Sequence, residues 1–396
     1  MSKFQFDTLP CRIGTDSFKY AVRPYPINEN VPLHPHWVAD MDYPSCPVII
    51  DAITKAAKTG IYGYSNIPKD LYKIISQYLS KQGWELSEEH LKEVMILSPG
   101  VVTGISVVLT ALTNVGDSVM FQTPSYPHFF ESVEGINRKV VNNRLVQKNG
   151  VWRIDFEDFE QQIISENVKA FILCSPQNPT GRVFDKDELE QMINICKRHN
   201  VIIISDEIHC DLLLTKQHIH TASLPNAKDI TITMLAPSKT YNIPGLSQAF
   251  MICENDEMRS KIFHVASGLS ICWGSLFGHI GMKTAYSGEC SEWLKECLEY
   301  IKGNVKLITE FIQNQLPSIQ ITQPEATYLL WMDFSKYGIS SDKIDDLLGQ
   351  RGIIFNQGKA FGKGFDLFRR FNIATSRKEI QSVLDLLYDA FKPYEK

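Results

Sequence analysis

The sequence predicts an α/β protein: a mostly parallel sheet covered by helices, followed by a smaller α+β unit. Three observations carry that reading. Short apolar runs recur along the middle of the chain with no polar alternation, the mark of strands buried on both faces. Helical patterns lie between several of them, as strand–helix–strand crossovers require. One long amphipathic stretch then separates this region from a second cluster of strand-like runs.

The elements follow in chain order. Up to about Pro44 the chain is rich in proline and aromatics, shows no clear period, and is expected to pack on the second unit. The runs EVMILS (93–98), SVMFQT (118–123), VKAFILCS (168–175), VIIISDEI (201–208) and DITITML (229–235) read as strands. GVVTGISVVLTALTN and KDELEQMINICKRHN, between them, read as helices. Leu294, Leu298, Ile301, Val305, Ile308 and Ile312 recur at spacings of four and three, one apolar stripe that stops before Pro317. Beyond it ATYLLWMDF, GIIFNQG and LFRRFNIA read as strands of the smaller unit. The expected division is an N-terminal segment 1–45, a large domain 46–289 and a small domain 290–396.

Composition narrows the class of function. The 396 residues are 44% hydrophobic and 21% charged, with a formal net charge of −5. No basic surplus neutralises phosphates, so nucleic acid is not an expected partner. No run of about 18 apolar residues occurs and the first residues lack an apolar signal core, so the expectation is a cytoplasmic protein away from membranes. The nine cysteines are odd in number and form no Cys-x-x-Cys pair, which argues against a disulfide framework or a zinc site. His34 and His36 lie two apart without acidic ligands nearby in sequence, and GKAFGKG (358–364) lacks the spacing of a phosphate loop, so neither reads as a site.

In an open parallel sheet, ligands sit beyond the carboxyl ends of the strands. The polar residues just past each run are therefore the candidates: Ser98 to Gly100, Thr123 to Tyr126, Ser175 to Gly181, Ser205 to Glu207, and Pro237 to Lys239. Alone, Lys239 is an ordinary surface cation, Tyr126 an ordinary core aromatic, and Asp206-Glu207 an acidic helix start. Together they describe a chemistry. Lys239 forms a Schiff base with a carbonyl once burial or a cationic neighbour depresses its pKa. Asp206 keeps a pyridine nitrogen protonated and so makes the ring an electron sink. Gly100, Val101 and Val102 open an apolar helix whose free N–H groups suit a phosphate. Tyr126 offers a stacking face, and Asn178 an amide for a phenolic oxygen. Aldehyde, pyridinium, phosphate and phenol together are pyridoxal 5′-phosphate.

The motifs SPQNPTG (175–181), SDEIH (205–209), SKTYNIPGL (238–246), GIYGYS (60–65) and FNIATSR (371–377) resemble the fold-type-I pyridoxal-phosphate enzymes, the aspartate aminotransferase superfamily. The resemblance runs over nearly the whole chain and implies a seven-stranded, mostly parallel sheet. The common aminotransferase pattern has a tyrosine where this chain has His209, and a phosphate-clamping arginine where it has Ser247. With WVADMDYP (37–44), SDEIHCD and SKTYNIPGL, the chain instead resembles the cystathionine β-lyase, or C–S lyase, branch. Ala236 and Pro237 depart even from that branch, replacing small polar residues and leaving the phosphate fewer side-chain donors.

The resemblance implies catalytic roles for Lys239, Tyr126 and Asp206. Lys239 is the Schiff-base lysine, Asp206 pairs with the pyridine nitrogen, and Tyr126 stacks on the ring. Asn178 faces the phenolic oxygen with His209 nearby. Gly100, Val101, Val102 and Ser238 hold the phosphate, with Tyr64 reaching it from the neighbouring subunit of a homodimer. Arg370 grips the substrate α-carboxylate, and its neighbour Arg369 must point to the opposite face of a strand. Asp40 and Asp42 are expected near the substrate entrance, or else to cap a turn. The implied activity is cleavage of the Cβ–S bond of cystathionine, cysteine or a related thioether amino acid to a thiol, pyruvate and ammonia. An aminotransferase shares Lys239, Asp206 and Arg370 and stays open as the alternative. A non-catalytic regulatory protein on the same scaffold is the third reading.

Overall fold

The computed structural model of the protein describes residues 3–148 and 150–395. Its centre is a seven-stranded sheet. In chain order the strands are β1 (Met95–Ser98), β2 (Ser118–Thr123), β3 (Lys139–Arg144), β4 (Val168–Cys174), β5 (Ile202–Asp206), β6 (Thr231–Leu235) and β7 (Ala249–Cys253). Their order across the sheet is β1-β7-β6-β5-β4-β2-β3, and every pairing is parallel except those of β7 with β1 and β6. The apolar runs form strands because both faces are covered. Ile172, Ile204, Ile232 and Met251 belong to one core layer and Phe171, Leu173 and Ile203 to another. The edge strand β3 alternates buried and exposed positions instead, as a strand with one bonded neighbour and a solvated flank does.

Helix α1 (Val101–Leu112) follows β1 directly. It lies so close to the sheet that a Cβ on Gly104 would sit 3.3 Å from Met234 Sδ and from Ser98 Oγ, which is why a glycine interrupts the apolar stretch. The expected strand 93–98 is shorter, because Glu93 and Val94 close the helix Glu88–Val94. No helix opens at Asp206-Glu207, where the chain turns through residues 208–211.

Helix α2 (Leu276–Tyr286) precedes the long helix α3 (Ser291–Gln315). The deepest stripe of α3 differs from the one the leucines predict. Trp293, Cys297, Tyr300 and Asn304 are buried along its first half, while Leu294, Leu298 and Val305 are only partly so. Aromatic packing decides the rotation: Trp293 and Tyr300 meet Phe6 at 6.0 and 5.4 Å between ring centroids. Asn304 is admitted to the core because its amide donates to the carbonyls of Ile373 and Thr375, both at 2.9 Å, satisfying an otherwise costly buried group.

A second sheet orders β8 (Gln320–Thr322), β9 (Leu329–Asp333), β11 (Phe368–Asn372) and β10 (Asn356–Gln357), all antiparallel. The N-terminal segment joins this part of the molecule: His34-Pro35 pairs in parallel with Ile353-Ile354, and the Tyr25 hydroxyl donates to the Ile353 carbonyl at 2.9 Å. Among the described residues no helix is long and apolar enough to cross a membrane.

Candidate active site

The carboxyl ends of β4, β5 and β6 and the start of α1 converge on one cleft of about 180 Å³. Gly100, Val101, Val102, Tyr126, Asn178, Asp206, His209, Ser238 and Lys239 all line it. Larger grooves exist, one of about 810 Å³ beside Trp152 and Lys306, but none of these residues reaches them.

Lys239 follows β6 and is partly buried on the cleft wall. Its ammonium donates to the Ala39 carbonyl at 2.9 Å, and the Tyr328 hydroxyl donates to the same oxygen at 3.1 Å. Burial, and then the Arg370 charge, bring the amine down to about 8. A lysine that is half neutral near pH 8 is a usable nucleophile and base.

Asp206 ends β5. Its side chain accepts one hydrogen bond, from the Ile208 N–H at 3.1 Å, and burial pushes its carboxyl up to about 7, with the Glu207 charge adding to the effect. Glu207, one residue on, faces away and is saturated. It accepts from Ser205 Oγ at 2.7 Å and Thr221 N at 2.9 Å, and meets His218 and His220 at 3.0 and 2.5 Å, so its carboxyl is held far below the usual range. Glu207, His218 and His220 have the donor types of a metal site. The 2.5 Å from Glu207 Oε2 to His220 Nδ1 is a hydrogen bond, since two zinc ligands at about 2.0–2.1 Å bond length stand roughly 3.3 Å apart.

Arg370 and Arg369 leave β11 on opposite faces. Arg369 is fully buried against Asp345, Nη2 to Oδ1 at 2.6 Å. Arg370 does not line the cleft itself; it stands behind the lining residue Asn178 and finds only neutral partners. Nη1 donates to Asn178 Oδ1 at 3.0 Å, and Nη2 donates to the Trp37 carbonyl at 2.7 Å and to Asn356 Oδ1 at 2.5 Å. Its Nε is buried without a partner, and burial brings the guanidinium down to about 10.

Tyr126 caps the helix Pro127–Glu134, and burial lifts its hydroxyl to about 12. Burial, then the Lys239 and Arg370 charges, lower His209 to about 3, so its ring is neutral, with Nδ1 unpartnered. Gly100 starts α1 with no side-chain cap, leaving the first-turn N–H groups open to an anion. Tyr64 stands apart, fully exposed and outside the cleft of its own chain. Asp40 and Asp42 are held in ion pairs: Arg12 with Asp40 at 2.5 Å, Lys19 with Asp42 at 2.8 Å. His34 and His36 share an acidic partner that sequence distance conceals, Glu379, at 2.7 and 3.2 Å.

Sequence reasoning missed several lining groups. Thr103, Cys174, Ile208, Pro244 and Gln248 face the cleft, and Asn356 holds Arg370. The carbonyls of Trp37 and Ala39 act through the backbone, which no residue code announces.

The residues present fit pyridoxal phosphate. A buried carboxyl driven up to about 7 lacks a cation, which a ring N–H⁺ supplies. Open N–H groups at a helix start lack an anion, and the cleft ends on an amine near its neutral form. The family model of aminotransferase class I and II matches residues 38–387. The chain is 34% identical to the cystathionine beta-lyase PatB of Bacillus subtilis strain 168, over 96% of this chain and 97% of that protein. It is similar to cystalysin of Treponema denticola, whose crystal structure contains pyridoxal 5′-phosphate (TM-score 0.92, 29% identity, 99% of this chain and 100% of that one). It is also similar to a PLP-bound C–S lyase of Staphylococcus hominis (TM-score 0.88, 28% identity, 98% of each chain).

Proposed function

The chain belongs to the aminotransferase class I and II family, and from that premise we propose that it is a pyridoxal-phosphate-dependent C–S β-lyase. Its substrates are cystathionine, cysteine or related thioether amino acids, and its products a thiol, pyruvate and ammonia. The observation that carries the reading is the set of incomplete partners at and beside the cleft: an amine whose pKa is lowered to about 8, a buried carboxyl without an ion-pair partner and, behind Asn178, an arginine without a carboxylate. Similarity to a cystathionine beta-lyase and to C–S lyases over nearly the whole chain supports the lyase branch over a transferase.

When bound, the cofactor supplies an electron sink for the charge left on the substrate Cα. The chain's own residues do the rest. Arg370 takes the substrate carboxylate through the fork that now has only amide and carbonyl partners. Asp206, ionised once it faces a cation, holds the proton on the cofactor's ring nitrogen. Gly100, Val101, Val102 and Ser238 would hold the phosphate, Tyr126 would offer its face to the ring, and Asn178, with neutral His209 nearby, would meet the phenolic oxygen. The Lys239 amine accepts the Cα proton. The Cβ–S bond then breaks with its electron pair on sulfur, and addition of one water over the cycle balances thiol, pyruvate and ammonia.

The same reading includes a homodimer in which Tyr64 reaches the partner's site. The exposed Ile61, Tyr62 and Tyr64 support it, being a costly apolar group to leave in water. We also propose the division into 1–45, 46–289 and 290–396, and a cytoplasmic location, which the eight buried free thiols suit.

Product analysis with cystathionine tests the activity. Stoichiometric pyruvate, ammonia and homocysteine without an added keto acid are expected, with alanine hardly turned over. Transfer from alanine or aspartate to 2-oxoglutarate, without thiol release from cystathionine, would overturn the lyase and leave Lys239 and Asp206 in place.

A further inference from the structure

We propose that Gln248 binds the cofactor phosphate, its side-chain amide donating where a neighbouring position would otherwise supply a cation. The proposal rests on the phosphate lying at the start of α1, as in the preceding section, and adds a ligand to it.

Ser247 occupies the position at which the common aminotransferase pattern places an arginine, yet it is exposed and does not line the cleft. Its backbone is left-handed, φ +49°, and that turn carries the chain into β7 with the next residue facing inward. Gln248 is buried and lines the cleft together with Gly100, Val101, Val102, Thr103 and Ser238. Strand register fixes the location independently. Ala249 pairs with Ser98 across the antiparallel β7–β1 ladder, so Gln248 stands opposite Pro99, one residue from the helix start.

The direction of the amide follows from donor chemistry. The Ser275 N–H, at the cap of α2, donates to the side chain at 3.2 Å, and only the carbonyl oxygen accepts from an N–H. The Nε2 end is therefore the other one, and it is buried with no partner. Two glycines make the niche. A Cβ on Gly274 would lie 2.7 Å from Gln248 Oε1, and one on Gly278 only 2.5 Å away. An oxygen wedged this tightly cannot exchange places with the nitrogen without losing its donor. What remains is an amide donor held out of water without a partner, on a side chain that lines the cleft beside the start of α1. Hydrogen bonds to charged acceptors are worth roughly 1.5–3 kcal/mol, about one to two orders of magnitude in affinity.

The test titrates cofactor-free protein with pyridoxal 5′-phosphate and, separately, with pyridoxal, which lacks the phosphate, reading the cofactor's absorbance. Wild type should prefer the phosphate ester strongly. Gln248→Ala should weaken pyridoxal 5′-phosphate about ten- to one-hundred-fold and leave pyridoxal unchanged. Gln248→Glu keeps the acceptor for Ser275 while removing the amide donor, so it should show the same selective loss, with weaker binding of pyridoxal 5′-phosphate and unchanged binding of pyridoxal. Equal weakening of both compounds would make Gln248 a brace for α2 and overturn the proposal. No weakening of either would also overturn it. A wild type that takes neither compound would sink the cofactor reading itself, a result distinguishable from both.

Discussion

Arg370 Nη1 donates to Asn178 Oδ1 at 3.0 Å, joining the small sheet's β11 to the loop that follows β4. The guanidinium has no carboxylate partner among the described residues, although it is buried. Arg370→Lys should therefore raise KM for the amino acid by about ten- to one-hundred-fold, since a point charge cannot reproduce the two-pronged contact, while the cofactor spectrum stays normal. Steady-state kinetics with absorbance spectra check this. An unchanged KM would place carboxylate recognition elsewhere.

Borohydride should bleach the yellow holoenzyme and leave the pyridoxyl mass on Lys239, read by peptide mass spectrometry. Lys239→Ala should lose about two to four orders of magnitude in turnover, the usual worth of a positioned acid–base group. A label on any other lysine would remove Lys239 from its assigned position.

Asp206 makes a prediction about pH. In the cofactor-free protein its carboxyl sits at about 7 against 3.8 in an unperturbed chain, so the folded state binds the proton more tightly than the unfolded one. Its contribution to stability is greatest below pH 3.8 and is lost as pH rises towards 7. Asp206→Asn escapes that loss. Without cofactor it should melt above wild type at pH 8, by roughly 5 °C, with the gap closing towards pH 4. With cofactor bound the order should reverse, and turnover should fall sharply. Melting curves at the two pH values, with and without cofactor, are the measurement.

Subunit mixing locates Tyr64. Lys239→Ala and a severely impaired Tyr64→Ala should each be inactive alone, yet their mixture should recover activity, because one site of the mixed dimer carries both lesions and the other carries neither. Absence of rescue after demonstrated subunit exchange would keep Tyr64 out of the partner's site.

What the sequence made legible follows from where burial is uniform. β4, β5 and β6 are covered on both faces, so their apolar runs stand out, and the polar residues beyond them locate the cleft. β3 hides because an edge strand alternates and carries Asn142, Asn143 and Arg144. The face of α3 is legible in part: Ile301, Ile308 and Ile312 are buried as the stripe predicts, while Trp293, Cys297 and Tyr300 lie deeper than Leu294, Leu298 and Val305, and Asn304 reads as polar until two carbonyls are found to hold it. Gln248 was invisible for a different reason. Its position in the cleft depends on one left-handed residue, and composition does not reveal a backbone angle.

The pairing of His34-Pro35 with Ile353-Ile354 bears on how the protein is made. The carbonyls that later hold Lys239 and Arg370 lie in the segment just after His34, but their partner strand at Ile353-Ile354 leaves the ribosome about 319 residues later (353 minus 34). At about 5–20 residues per second, that segment waits roughly a quarter of a minute to a minute for its mate. Until that strand is made the core around Trp37, Met41 and Tyr43 lacks Ile353 and Ile354, so the nascent chain presents an incompletely covered apolar segment that chaperones can hold.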